Sequence, residues 1–270
     1  MTILVTGATG NVGSHAVREL QTRGEHVRAF VRDPEKAARL LGDVELAIGD
    51  LDDPGTIAPA LDGVDRVFLS SGPGPEKVAQ EAAVIDAAGA AGVELIVKAS
   101  ALDARTGDPL LGLDYNGRCE DHLRRSGVPA VMLQSGFYMT NLLMPGAFAA
   151  PAGVARVAMI DPRDIGGAAA VALTTDGHAG ATYRLTGGAA ITFEEAAAAL
   201  DAEYVDVPPA AAREGLEAAG LPDWLVSHMI RMFELVREGW FDRTTDCVRE
   251  LTGREPRTIH DFARDVLLTS

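Results

Sequence analysis

Three evenly spaced glycines near the start of the chain constrain its fold more than any other feature. Gly7, Gly10 and Gly13 follow an apolar segment at residues 3–5, which predicts a buried strand, and precede a helical pattern at residues 14–23. After a strand, such glycines permit a tight turn, a close approach of the backbone to a ligand, and close packing of the helix on the strand. The N–H groups at the start of the helix attract anions. The segment therefore predicts a binding site for the pyrophosphate of a dinucleotide.

Apolar segments alternate with helical patterns through the first half of the chain. The predicted strands lie at residues 3–5, 26–31, 44–48, 66–69, 95–99 and 130–133. The predicted helices between them lie at residues 14–23, 34–41, 54–61, 76–91 and 113–126. This alternation is typical of a parallel sheet with helices on both faces. We expect an α/β, doubly wound Rossmann fold in which ligands bind at the carboxyl ends of the strands.

The last third of the chain has a looser pattern, which predicts a smaller C-terminal α/β region. We expect a dinucleotide-binding domain at residues 1–150 and a substrate-binding or lid region at residues 151–270. A helix–strand pattern within the second region indicates that about residues 155–187 return to the main sheet. Thr192 and Glu195 have the spacing of a capping box, which predicts the start of a further helix.

The composition is acidic. The chain has 270 residues and a formal net charge of −15, which argues against nucleic-acid binding because phosphate contacts need a surface of Lys and Arg. No apolar segment reaches the ~20 residues of a membrane span, and no export signal is evident. Cys119 and Cys247 lie far apart, without the spacing of a metal site or a disulfide framework. We expect a cytoplasmic protein without metal, nucleic-acid or membrane partners.

The end of the second predicted strand indicates which dinucleotide is bound. Arg32 directly follows that strand, and Lys36 lies one helical turn further on, where it can face the same point. These two cations suit the 2′-phosphate of NADP, whereas an acidic residue is usual for NAD. Asp33 is the alternative, since it could accept a hydrogen bond from a 2′-hydroxyl, and both cations could simply lie at a solvated helix start. We favour NADP(H).

Small and polar residues after the third and fourth predicted strands are further candidates for cofactor binding. Asp50 and Leu51 are placed to border the adenine, with the carboxylate accepting from the amino group and the leucine packing on the ring. A helix-capping role is the alternative for Asp50. Ser70, Ser71 and Gly72 offer small groups where the ribose and nicotinamide would pass, although a plain loop explains Ser71 almost as well.

Together these motifs resemble the NmrA-like family of atypical short-chain dehydrogenases/reductases, which includes NADPH:quinone reductase-like members. The resemblance is carried by residues 6–13, 31–34, Lys36, 49–51, 97–101, 120–127, 136–137, Asn141 and 161–165. It implies a Rossmann core with NADP(H) bound through Thr9, Asn11, Val12, Arg32, Asp50 and Leu51. Members of the family include quinone, imine and dye reductases, tailoring enzymes of natural-product pathways and non-catalytic redox sensors. The fold alone does not choose among these functions.

The chain departs from catalytic short-chain dehydrogenases at the residues that transfer a proton. Those enzymes combine a serine after the fifth strand with a tyrosine and, four residues later, a lysine that lowers the tyrosine pKa from about 10. Here Ser100 follows the fifth predicted strand and Tyr115 is the candidate tyrosine, but Cys119 stands where the lysine is expected. The tyrosine–lysine pair is therefore incomplete.

Lys98 is a second candidate for the chemistry, because it interrupts an otherwise apolar strand. Strand alternation places Lys98 and Ser100 on one face, and a buried lysine is uncommon unless it is paired. Lys98 could orient the cofactor ribose or act as an acid; alternatively it lies at a sheet edge or pairs with a buried carboxylate such as Asp50. After the sixth strand, Phe137 could line the nicotinamide site and Tyr138 could donate a proton, although either could be a core residue.

These observations favour an NADPH-dependent oxidoreductase that transfers a hydride to an apolar aromatic or quinone-like small molecule. The candidate catalytic residues are Tyr115, Lys98, Ser100 and Tyr138. The alternatives are a redox sensor that binds NADP(H) without catalysis, and a natural-product tailoring enzyme whose chemistry is not simple reduction. A homodimer is compatible with the sequence.

Overall fold

The computed structural model describes residues 1–269 and the side chains of residues 1–268. The strands are β1 Thr2–Val5, β2 His26–Val31, β3 Glu45–Ile48, β4 Arg66–Leu69, β5 Leu95–Ala101, β6 Ala130–Ser135, β7 Ala149–Ala150, β8 Arg156–Val157, β9 Thr182–Leu185, β10 Ile191–Thr192 and β11 Val205–Asp206. The helices are α1 Gly13–Thr22, α2 Pro34–Leu41, α3 Ile57–Ala60, α4 Lys77–Ala91, α5 Leu111–Ser126, α6 Pro162–Thr174, α7 Phe193–Ala199, α8 Pro209–Ala218, α9 Asp223–Arg237, α10 Cys247–Thr252 and α11 Ile259–Thr269. Short 3₁₀ helices span Pro54–Thr56 and Met139–Leu143.

A seven-stranded sheet in the order β3-β2-β1-β4-β5-β6-β9 forms the centre of the fold. β1 runs parallel to β2 and β4, β2 to β3, and β4 to β5. The predicted α/β Rossmann fold is confirmed. The strand expected to rejoin this sheet is β9, where the Met132 N–H donates to the carbonyl of Ala181 at 3.0 Å.

The chain divides into two compact units that are each built from separate segments. The first comprises Met1–Asp108, Gly112–Gln134 and Pro162–Arg184. The second comprises Pro109–Leu111, Ser135–Asp161 and Leu185–Ser270. The proposed domain boundary at residue 150 stays a prediction.

Helices cover the sheet of the first unit in two layers. In the layer formed by α3, α4 and α5, the strand residue Leu4 packs in an apolar cluster that includes Ile57, Ile85 and Leu123. In the other layer α1 crosses α6 so closely that a Cβ at Gly166 would lie 2.7 Å from the Cβ of His15. The small residues of α6 therefore let two helices pack against each other with little space between their backbones.

The predicted helix at residues 54–61 is wrong in detail. A 3₁₀ turn comes first, started by Asp53, whose carboxylate accepts from the Gly55 N–H at 3.1 Å. Only the four residues of α3 are α-helical. Pro59 has no N–H to donate to the carbonyl of Gly55, four residues earlier, so a continuous α-helix from residue 54 would lack a hydrogen bond at that point.

The second unit is built around an aromatic cluster. Phe193 lies between Phe137 and Phe233, with ring centroids 5.7 Å away in each case, and 5.9 Å from Tyr204. The second unit also contains two pairs of short strands. β8 pairs with β10, and β7 pairs with β11. Phe137 and Phe233 are buried, so their rings contribute to the core of this unit.

The predicted capping box at the start of α7 is present. Thr192 Oγ1 accepts from the Glu195 N–H at 3.1 Å, and Glu195 Oε2 accepts from the Thr192 N–H at 2.7 Å. Replacing Thr192 with alanine is expected to lower the free energy of unfolding by about 1 kcal/mol, because one helix-start N–H loses its acceptor. Chemical denaturation measures this loss, and the Thr192→Ser variant, which keeps the hydroxyl, should show little of it.

Candidate cofactor cleft and acid–base residues

The glycine turn between β1 and α1 has the geometry that its sequence predicts. Gly7 has φ +59°, a conformation that favours glycine, and a Cβ there would lie 2.7 Å from the carbonyl oxygen of Ser70. The Gly10 N–H donates to the Gly7 carbonyl at 2.9 Å and closes the turn. A Cβ at Gly13 would overlap the Gly7 carbonyl oxygen. The turn and the helix start are thus in direct contact, and side chains are excluded from that contact.

The start of α1 offers hydrogen-bond donors. Ser14 and Ala16 already donate to the carbonyls of Gly10 and Val12. The N–H groups of Val12 and Gly13, by contrast, donate to no acceptor within residues 1–269. Free donors at a helix N-terminus suit an anion such as a phosphate. The residues present therefore fit a dinucleotide pyrophosphate.

A cleft of about 200 Å³ opens beside this turn, at the carboxyl ends of β1, β2, β3 and β4. It brings together seven of the residues selected from the sequence: Gly7, Thr9, Arg32, Asp50, Leu51, Ser71 and Gly72. The cleft lining does not include Gly10, Asn11, Val12, Gly13, Lys36, Ser70 or Lys98. Of these, Ser70 holds the turn, because the Thr6 hydroxyl donates to its carbonyl at 2.8 Å.

Of the charged residues that directly follow β2, only Arg32 lines the cleft. Arg32 is 73% exposed and its Nη1 is 4.0 Å from Asp50 Oδ2, so the guanidinium is available to a ligand. Asp33 caps α2 by accepting from the Lys36 N–H at 2.9 Å. Lys36 itself is exposed. Asp50 accepts from the Asp52 N–H at 3.1 Å, which is a turn rather than a helix cap.

The cleft also has lining residues that the sequence reasoning did not select. They are Ala8, Phe30, Val31, Pro73, Gly74, Glu76, Lys77 and Gln80; Gly49, from the segment selected at residues 49–51, lines the cleft as well. A Cβ at Gly49 would lie 2.6 Å from the ring of Phe30, so the glycine lets that ring border the cleft. Lys77 is the most informative of them, because it is a lysine that is only 8% exposed.

A buried ionic cluster connects the cleft to β5. Lys98 is fully buried, and its Nζ lies 2.8 Å from Glu81 Oε2, 2.9 Å from the Ala99 carbonyl and 2.9 Å from Asn116 Oδ1. Lys98 therefore has a buried carboxylate partner, which is Glu81 rather than Asp50. A role of Lys98 in catalysis or in cofactor binding stays a prediction.

Glu81 is at the centre of this cluster. Its Oε1 accepts from Lys77 Nζ at 2.6 Å and from Ser71 Oγ at 2.8 Å. Burial alone raises the pKa of Glu81, but the ammonium groups of Lys77 and Lys98 outweigh burial and lower the pKa from 4.5 to about 2. Glu81 is therefore ionised at neutral pH, and it ties Ser71 and Lys77 together at the wall of the cleft.

Ser100 belongs to a second buried network. Its hydroxyl donates to Glu120 Oε1 at 2.6 Å, and Gln134 Nε2 donates to the same oxygen at 2.9 Å. Gln134 Oε1 in turn accepts from the Asp103 N–H at 3.2 Å. Lys98 and Ser100 both contact side chains of α5, as the strand alternation predicts. The network holds the segment after β5, where Asp103 has a positive φ of 55°.

Tyr115 and Cys119 lie one turn apart on α5. The Tyr115 side chain is partly exposed, and its hydroxyl has no hydrogen-bond partner within the described chain. Burial, assisted by the Glu81 carboxylate, raises the pKa of the Cys119 thiol to about 12. Cys119 is therefore a neutral thiol at physiological pH and supplies no positive charge to Tyr115, as a lysine would.

Phe137 and Tyr138 belong to the second unit. Phe137 is buried against Phe193, and the Tyr138 hydroxyl is 3.0 Å from Ser135 Oγ. The proposed contact of Phe137 with the nicotinamide stays a prediction.

Across the part of the chain that the structure describes, no helix is long and apolar enough to cross a membrane.

The fold and the cleft define a dinucleotide-binding protein of the Rossmann class. A model of the NmrA-like family matches residues 1–263. The chain therefore belongs to the NmrA-like family, as its motifs predict.

Characterised relatives match almost the whole chain. An NAD(P)H azoreductase of Xenophilus azovorans is 36% identical over 97% of this chain and 96% of its own length. A (4-alkanoyl-5-oxo-2,5-dihydrofuran-3-yl)methyl phosphate reductase of Streptomyces griseus is 34% identical over 97% of each chain. The structure of an Escherichia coli NADPH-dependent quinone oxidoreductase in complex with NADPH superposes with a TM-score of 0.87, at 29% identity, over 98% of this chain and 99% of that one.

Proposed function

We propose that this protein reduces apolar aromatic acceptors of the quinone or azo class by hydride transfer from NADPH. The observation that carries the proposal is the neutral, buried Cys119 in the place of a catalytic lysine. Without that lysine, the site is best suited to acceptors whose reduced product needs little help from an acid, and the reduction of an azo acceptor would depend on another proton donor. A quinone meets this condition, because its ring stabilises the oxyanion that hydride addition creates.

The cofactor and the class of reaction follow from the family and the relatives. The chain is an NAD(P)H-dependent oxidoreductase, and its cofactor is NADP(H). Bound in the cleft, the nicotinamide supplies the hydride. The glycine turn and the free N–H groups of α1 would hold the pyrophosphate, and Arg32 would hold the 2′-phosphate.

We assign the proton donor to Tyr115. Its hydroxyl has no partner in the described chain, whereas Ser100 donates to Glu120. Lys98 Nζ donates to the Ala99 carbonyl and to Asn116 Oδ1 and is ion-paired with Glu81 Oε2. Tyr138 shares a hydrogen bond with Ser135 and is the next candidate. Proton donation by Lys98 would require the breaking of a fully buried ion pair.

Turnover with a panel of acceptors tests the proposed function. NADPH oxidation is followed with quinones, azo dyes, triphenylmethane dyes, an α,β-unsaturated butenolide, and aliphatic ketones. We expect the quinones and dyes to be reduced fastest and the aliphatic ketones slowest. Turnover confined to ketones would contradict the proposal. So would the absence of turnover with every acceptor of the panel, if the protein binds NADPH.

The Tyr115→Phe variant tests the proton donor. For an acceptor whose product must be protonated during hydride transfer, such as an azo dye, we expect kcat to fall by about 100-fold, the usual contribution of a general acid. For a quinone we expect only a small change, since its product is a stabilised oxyanion. The Tyr138→Phe variant is the matched control. A larger loss in that variant than in Tyr115→Phe would move the role to Tyr138.

A cytoplasmic location and a homodimer are also part of the proposal. The location is supported by Cys119 and Cys247, which are both free thiols, as is usual in a reducing compartment. Cell fractionation tests the location, and light scattering tests the oligomeric state.

A further inference from the structure

The hydrogen bonds of Lys77 are incomplete. An ammonium group has three protons to donate. Lys77 Nζ uses one on Glu81 Oε1 at 2.6 Å and one on Ser71 Oγ at 3.0 Å, and within the described chain no acceptor takes the third. Since Lys77 lines the cofactor cleft and is only 8% exposed, its third proton has little bulk water to bind.

The charges of the cluster do not balance. Lys98 is satisfied by Glu81, Ala99 and Asn116, and both oxygens of Glu81 are already engaged. Two buried ammonium groups therefore share one carboxylate, which leaves one positive charge in excess. Asp50 and Glu76 also line the cleft, but neither forms an ion pair with Lys77 in the described chain. An uncompensated buried charge is costly, so an anion in the cleft would be strongly attracted.

We propose that the Lys77 ammonium binds a pyrophosphate oxygen of the dinucleotide, and that Glu81 and Ser71 position Lys77 for this contact. The proposal rests on NADP(H) as the cofactor. The 2′-phosphate, the other anionic group of NADP, is assigned to Arg32 after β2. The pyrophosphate is therefore the anion left for Lys77. The hydrogen bonds to Glu81 and Ser71 hold the ammonium in place before the cofactor arrives, so little side-chain freedom is lost on binding.

Binding measurements with two ligands test this contact independently of turnover. We compare NADPH with adenosine 2′-monophosphate, which carries the adenine, the ribose and the 2′-phosphate but no pyrophosphate. In the Lys77→Met variant the Kd for NADPH should rise by about tenfold or more, as expected for the loss of a charge-assisted hydrogen bond. The Kd for adenosine 2′-monophosphate should not change. The NADPH affinity of the variant should also depend less on salt than that of the wild type.

The Arg39→Met variant is the matched control, because it removes one exposed cation of the same unit that does not line the cleft. It should bind both ligands as the wild type does. Equal losses for the two ligands in Lys77→Met would indicate a structural role and overturn the proposal, and so would an unchanged NADPH affinity. If Lys77→Met is poorly folded, Lys77→Gln keeps a donor for Glu81 without the charge and should show the same selective loss. A failure of the proposed reduction would appear only as missing turnover, with these affinities intact.

Discussion

Glutamine in place of Glu81 is expected to lower the free energy of unfolding at pH 7 by about 3–5 kcal/mol, the usual cost of breaking a buried ion pair. The side chain keeps its size, so the change removes charge rather than packing. Lys77 and Lys98 would then share a buried site with no carboxylate, and the amide N–H₂ would face an ammonium group. The cost arises from the lysines that remain, which must lose a proton or draw in water.

Urea denaturation of the wild type and the variant measures this loss. Glu45→Gln is the matched control, since Glu45 pairs with Arg28 at 2.7 Å on a partly exposed strand. That surface pair should contribute less than about 1 kcal/mol. The double variant Glu81→Gln/Lys98→Met should recover part of the loss, because it removes one of the orphaned charges. A loss for Glu81→Gln as small as that of the control would mean that the cluster does not stabilise the fold.

The same cluster is expected to make the free energy of unfolding depend on pH in the acidic range. The pKa of Glu81 in the folded protein is about 2, below its ordinary value of 4.5, so its stabilising contribution is complete above about pH 4.5. The contribution is lost as the pH falls from about 4.5 through about 2. The difference in unfolding free energy between the wild type and Glu81→Gln should therefore shrink across this range. A difference that is independent of pH would contradict the ion-pair explanation.

Alanine in place of Gly13 is expected to weaken NADPH binding by about 10- to 100-fold. The added Cβ would overlap the carbonyl oxygen of Gly7 and lie 2.8 Å from its carbonyl carbon, so the start of α1 must move away from the turn. Each lost hydrogen bond between a backbone N–H and a phosphate is worth about 1.5–3 kcal/mol, and the N–H groups of Val12 and Gly13 are the donors at risk.

Fluorescence titration with NADPH measures this effect, and Gly215→Ala is the control. Gly215 lies in α8 with no atom within 4 Å of an added Cβ, so alanine there should leave the affinity unchanged and favour the helix. An unchanged Kd for Gly13→Ala would show that the contact between the turn and the helix is not needed for cofactor binding.

The sequence is most informative where one short segment determines both structure and chemistry. The glycine turn, Arg32 and Asp50 could be placed at one edge of the sheet because each directly follows a parallel strand. The capping box at Thr192 could also be placed from the sequence, because the four residues of the box determine its hydrogen bonds by themselves. Such local rules do not depend on how distant parts of the chain meet.

The ionic cluster could not be placed in this way, because its members come from separate elements. The sequence shows that Lys98 in an apolar strand needs a partner, but it does not show that the partner lies on α4. One signal was present. Glu81 shares the buried face of α4 with Val84, Ile85 and Ala88, and a carboxylate on an apolar helix face needs a cation just as a lysine in an apolar strand needs an anion.

The way the first unit is assembled has a consequence for engineering. β9 and α6 come from Pro162–Arg184, after the chain has already contributed to the second unit. A fragment ending at residue 150 would leave β6 as an open sheet edge and uncover the face of α1 that packs on α6, and both are sites of aggregation. The segments of the second unit therefore cannot be exchanged between relatives as one C-terminal block. A functional chimera must replace the second unit's separate segments, which lie on both sides of Pro162–Arg184, and leave Pro162–Arg184 with its parent scaffold.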